Sequence, residues 1–136
     1  HISYLSDSMI FCGDTLFSCG CGRVFEGTPE QMFESIQNLM QYAKGRWLYP
    51  AHEYTINNIQ FALSLEPEHE GLKAYLKKMI ALQQNGRETL PISFEEELSL
   101  NPFLRCHEPI FHDLFKVSSA KDVFKIMRLK KDSYTS

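Results

Sequence analysis

Only three segments of this 136-residue chain have the apolar, turn-bounded pattern of a β-strand, and all of them lie before residue 51. Ile2 to Leu5 and Met9 to Cys12 are joined by the polar turn Ser6-Asp7-Ser8, and Arg46 to Tyr49 stops at Pro50, which has no N–H for a ladder. A sheet that small leaves an edge and an apolar face uncovered, so association with further sheet, or poor solubility, is expected. From Thr55 onward no strand pattern returns and helical periodicity takes over. The expected class is therefore α/β, with a mixed first part over residues 1–53 and a helical part over residues 54–136.

The punctuation between elements is specific. Residues 18–27 hold Gly20, Gly22 and Gly27 without periodicity, as a loop does where backbones must approach closely. A helix start follows: Thr28 can cap, Pro29 suits the first helical position and Gln31 completes a capping box. Met32, Phe33, Ile36, Leu39 and Met40 then form one apolar stripe up to Lys44-Gly45. Thr55 is expected to cap a helix carrying Ile56, Ile59, Ala62 and Leu63 that breaks at Pro67. Leu72, Tyr75, Leu76, Met79 and Ile80 mark a second, ending at Asn85-Gly86. Residues 87–118, with Pro91, Pro102 and Pro109, read as an extended connector holding at most a turn or two of helix at Phe94-Glu95-Glu96-Glu97-Leu98. A last helix begins at Ser119, with Val123, Phe124 and Met127 on one face.

Charge and composition narrow the function classes. A formal net charge of -3 argues against a nucleic-acid partner, although the middle is acidic and the tail, from Lys116 to Lys131, is basic. The apolar runs fall well short of the roughly 20 residues that cross a bilayer, and no export signal is present, so a cytoplasmic protein with no membrane partner is expected. Cys12, Cys19, Cys21 and Cys106 are then reduced thiols. The Cys19-Gly20-Cys21 pair lacks the second pair that a structural zinc site needs. Because the chain opens on His1, it is expected to begin inside a longer gene product.

Two groups with catalytic chemistry sit at strand exits: Asp14 after Met9–Cys12, and His52 after Arg46–Tyr49. An aspartate can bridge two divalent ions through its two oxygens, and neutral imidazoles such as His1 and His52 add ligands without charge. The spacing alone does not separate this from a turn-forming aspartate and a surface histidine.

The combination of motifs is more specific. The runs His1-Ile2-Ser3-Tyr4, Phe11-Cys12-Gly13-Asp14-Thr15-Leu16-Phe17, Gly20-Cys21-Gly22-Arg23-Val24-Phe25-Glu26-Gly27-Thr28, His52-Glu53-Tyr54-Thr55, Asn101-Pro102-Phe103-Leu104-Arg105 and Arg128-Leu129-Lys130-Lys131-Asp132 occur in this order. Together they resemble glyoxalase II, or hydroxyacylglutathione hydrolase, of the metallo-β-lactamase superfamily, over nearly the whole chain. The resemblance implies the second half of a metallo-β-lactamase-like αββα sandwich followed by a C-terminal helical domain.

On that resemblance, His1 ligates one metal, Asp14 bridges both and takes the catalytic role, and His52 ligates the other. The ions would be zinc, with iron or manganese as alternatives. Arg23, Phe25, Tyr54, Arg128 and Lys131 would bind the glutathione part of a thioester, guanidinium and ammonium groups meeting its carboxylates. Phe25 lacks the hydroxyl that some relatives carry there. The family's Thr-His-x-His-x-Asp-His motif is absent, so the missing N-terminal half is expected to be required, and the complete protein to be a monomer. The implied reaction is metal-assisted hydrolysis of S-D-lactoylglutathione to glutathione and D-lactate, the closing step of methylglyoxal detoxification. Two other readings stand beside it: a non-catalytic glutathione-binding or domain-pairing fragment, and a single-iron persulfide dioxygenase, against which the long helical tail argues. His69, His107 and His112 match no ligand of the family and read as ordinary surface or loop residues.

Overall fold

The computed structural model describes residues 2–135. In chain order the elements are β1 (Tyr4–Leu5), β2 (Met9–Gly13), β3 (Leu16–Phe17), β4 (Gly20–Cys21), α1 (Pro29–Ala43) and β5 (Trp47–Pro50). The remainder comprises α2 (Thr55–Leu65), α3 (Glu70–Gln84), β6 (Ile92–Ser93), α4 (Phe94–Leu100), a 3-10 turn over Pro102–Leu104, α5 (Pro109–Phe115) and α6 (Ala120–Asp132). The architecture is α/β, part of a sandwich followed by helices.

The main sheet has the order β1-β2-β5-β6. β1 and β6 flank it antiparallel to their neighbours, while β2 and β5 run parallel at its centre, with Ile10 opposite Leu48. That parallel pair needs a crossover, and α1 supplies it. Thr28 and Gln31 form the full capping box, Pro29 takes the first turn, and the helix buries Met32, Ile36, Leu39 and Ala43. These residues share one core with Ile10, Cys12 and Leu48 of the sheet, and with Phe103, Phe111, Val123, Phe124 and Met127 of the helical part. The other sheet face is bare: Tyr4, Phe11 and Trp47 are exposed, and Phe11 stacks on Tyr49 at 5.1 Å. A smaller cluster, with Cys19, Ile59, Leu72, Tyr75, Met79 and Leu100, joins α2 and α3 to the β3-β4 hairpin.

Four local expectations change. The glycine-rich segment opens with a short hairpin, β3 pairing with β4 through Leu16 and Cys21. Thr55 lies inside α2, with Tyr54 at the cap position, because its hydroxyl is buried against that of Thr89 at 2.8 Å. The 87–118 segment is not an extended connector. Ile92–Ser93 adds a fourth strand, Ser93 caps α4, and Pro102 and Pro109 occupy first turns, where proline starts a helix rather than breaking one. His69 is no bystander: its Nδ1 accepts from the Leu72 amide at 3.1 Å and caps α3.

Candidate active site

Parallel strands end on the same side of a sheet, and this brings Asp14 to His52. After β2 the chain turns through Gly13 at φ +54°, and the Ala51 amide donates to the Gly13 carbonyl at 2.9 Å, extending the pairing past the strands. Asp14 Oδ1 and His52 Nδ1 then meet at 2.7 Å, both side chains about half exposed, at 54% and 53%. Tyr54 stacks on the imidazole, centroids 5.4 Å apart and planes 13° from parallel, while Phe17 meets Tyr54 edge-on at 5.1 Å. Glu53 points away. Its Oε1 accepts from the Thr89 amide at 2.6 Å and from the Thr89 hydroxyl, pinning the His52 loop to the segment before β6. A glutamate beside a histidine reads as a solvated charge, so sequence gave no sign of this anchor.

The second wall is the β3-β4 hairpin, and side chains from the helical part hold its main chain. Asn101 Nδ2 donates to the Phe17 and Gly20 carbonyls at 3.2 and 3.1 Å, and Asn58 Nδ2 to the Ser18 carbonyl at 3.1 Å. The Cys19 amide, at a residue with φ +55°, donates to Glu97 Oε2 at 2.9 Å, and the Ser18 hydroxyl to Glu97 Oε1 at 3.0 Å. Arg128 Nη1 donates to the Cys21 and Gly22 carbonyls at 2.7 and 3.2 Å. Burial pushes the Glu97 carboxyl up to about 7, against the opposing effect of its hydrogen bonds from Cys19, Asn101 and Ser18. A β-carbon on Gly22 would overlap the Asp14 carbonyl oxygen, so glycine there lets the hairpin lie against the Asp14 turn. Glu97 and Asn58 escaped the sequence reading, and Asn101 entered it only within the Asn101–Arg105 run, with no role of its own.

Between these walls lies a cavity of about 610 Å³. Asp14, His52 and Tyr54 are among its lining residues, and so are Arg23, Phe25, Arg128 and Lys131. His1 lies outside the described residues. Phe25 is 85% exposed at the rim, and Arg23 Nε is 4.0 Å from Asp132. Arg128 is buried, with Nε and Nη2 on Asp132 at 3.0 and 2.9 Å and Nη1 on the hairpin, so its guanidinium is engaged by the protein itself. Lys131 Nζ donates to Asn57 Oδ1 at 2.8 Å. Burial, followed by the charges of Arg128 and Arg23, lowers the Lys131 pKa.

Among the described residues, no group of three or more His, Cys, Asp or Glu side chains is placed to hold a metal ion. Asp14 and His52 are nevertheless a fitting pair of donors: a carboxylate oxygen and an imidazole nitrogen in contact, open to the cavity, and of the types that zinc, iron and manganese accept. The four cysteines are free and buried. Burial pushes the Cys12 and Cys21 thiols up to about 11 and raises Cys19 and Cys106 as well, which leaves them protonated packing groups.

Comparison with known proteins adds a finding from outside the geometry. A family model described as "Hydroxyacylglutathione hydrolase C-terminus" matches residues 53–134. The chain is 53% identical over 109 residues to the hydroxyacylglutathione hydrolase of Methylobacillus flagellatus, covering 80% of this chain and 44% of that protein. It is 50% identical over 108 residues to that of Aliivibrio salmonicida, covering 79% and 43%. With that of Pectobacterium atrosepticum the identity is 41% over 140 residues, covering 98% and 55%. The chain spans about half the length of the curated relatives it matches.

Proposed function

The chain belongs to the hydroxyacylglutathione hydrolase family, and from that premise we propose that the protein carrying it hydrolyses glutathione thioesters, S-D-lactoylglutathione above all, to glutathione and a hydroxy acid, D-lactate in that case. The observation that carries this reading is one cavity lined both by a carboxylate-imidazole pair in contact and by three cations. A thioester held by its carboxylates at the cations presents its carbonyl toward Asp14 and His52.

When bound, a pair of divalent ions supplies Lewis acidity and brings the pKa of water toward neutrality. Zinc suits the donors best, with iron or manganese as substitutes, and Asp14 and His52 are the described residues that would hold them, with His1 as a further ligand. Tyr54, stacked on the imidazole, fixes the ring's orientation. Arg23 and Lys131 meet substrate carboxylates, with Arg128 behind them setting both the field and the hairpin's place. Phe25 covers the mouth. Residues 1–53 belong in this reading to the metal-bearing domain and residues 54–136 to the helical thioester-binding part. The four unpaired thiols support a reducing compartment, the cytoplasm. No helix among the described residues is long and apolar enough to cross a membrane.

A second reading is favoured by the donor count: by itself the 136-residue chain binds glutathione derivatives without turning them over. Metal analysis and a thioester hydrolysis assay, run on this chain and on the longer polypeptide with the preceding half restored, separate the two. Metal uptake and turnover in the longer polypeptide alone are expected. No turnover in either defeats the hydrolase assignment.

A further inference from the structure

We propose that Tyr134 is a positioning residue: with Phe61 it cradles the Lys131 ammonium and aims it into the cavity at a carboxylate of the substrate. The inference rests on the thioester reading above and names a residue that packs against Lys131 without lining the cavity itself, one to which the sequence assigns nothing. Lys131 Nζ lies 5.7 Å from the centroid of the Tyr134 ring and 5.8 Å from that of Phe61, and the two rings pack edge to face at 5.4 Å. Past α6 the chain makes one more tight turn, the Tyr134 amide donating to the Lys131 carbonyl at 3.1 Å, and the Tyr134 ring lies beside the Lys131 ammonium.

The three cations of the cavity are held differently. Arg128 is paired with Asp132, and Arg23 approaches the same carboxylate. Lys131, among the described residues, makes no ion pair; it is steadied by ring faces and by the neutral amide of Asn57. A carboxylate partner would cancel its charge, whereas π-faces stabilise an ammonium and leave its charge undiminished for an incoming anion. Of the three N–H donors on the ammonium, Asn57 takes one. The arrangement holds a half-buried lysine in place while keeping its capacity to bind a carboxylate.

The test uses the longer polypeptide and S-methylglutathione, a thioether that cannot be hydrolysed, with affinity read by calorimetry. Tyr134→Ala should weaken binding roughly threefold to tenfold and Tyr134→Phe should restore it, because the ring face and not the hydroxyl is required. In a Lys131→Met background, Tyr134→Ala should have no further effect. In turnover of the thioester, Tyr134→Ala should raise KM by the same factor and leave kcat as it was. Unchanged affinity in Tyr134→Ala, or an equal loss with Lys131 already removed, overturns the cradle while leaving the hydrolase reading intact. A wild-type protein that neither binds the thioether nor cleaves the thioester overturns both.

Discussion

Glu97 is a fully buried carboxyl group, shared by Ser18, Cys19 and Asn101 behind the hairpin wall of the cavity and faced by Tyr75 and Glu96. Its ordinary value is 4.5 and its folded value about 7, so across that window the native state holds a proton that the unfolded chain releases. Stability therefore falls as pH rises from about 4.5 to 7 and levels off above. Denaturant midpoints measured across this range should show the slope, and Glu97→Gln, whose amide can still satisfy Ser18 while its oxygen serves Cys19 or Asn101, should flatten it. Asp14→Ala in the longer polypeptide should lower bound metal and cut kcat by about a hundredfold or more, beyond the range for losing an outer partner of a ligand; metal content and initial rates read both. Asp14 and His52 were legible in sequence as groups at the exits of two strands. Glu97 was not, because Glu95-Glu96-Glu97 looks like a solvated acidic helix start, and nothing local shows that the third carboxylate turns inward.

Elements whose signals are local were readable, and those set by partners far along the chain were not. The Thr28-Pro29-Gln31 signature placed the start of α1 correctly, since a capping box is complete within four residues. Thr28→Ala should cost about 1 kcal/mol in chemical denaturation. Thr55 failed as a cap for the opposite reason: Thr89, 34 residues away, claims its hydroxyl. β6 has two residues, too few to show alternation, and exists because β5 offers it an edge. The turn after α4 is held by Arg105, buried and bidentate to Glu66 at the end of α2 while also gripping Glu108 at the start of α5. Arg105→Ala would strand Glu66 as a buried charge, so a loss of about 3–5 kcal/mol is expected, visible as a lowered melting temperature.

At the scale of the molecule, the shortage of strands in the sequence anticipated a bare sheet, and the exposed Tyr4, Phe11 and Trp47 show where it is. The chain alone, at 15.8 kDa, should elute from a sizing column as an associated species, and the longer polypeptide as a monomer. A monodisperse monomer of the short chain would mean that this face needs no cover. Less legible was how far the helical part reaches into the site: Arg128 grips the Cys21 carbonyl across 107 residues of sequence. During synthesis the hairpin leaves the ribosome long before the segment that will hold it. Most of the residues that line the cavity can have been made while no cavity yet exists, and a stop codon before Arg128 would leave Asp14 and His52 in place with the hairpin wall unheld by that guanidinium.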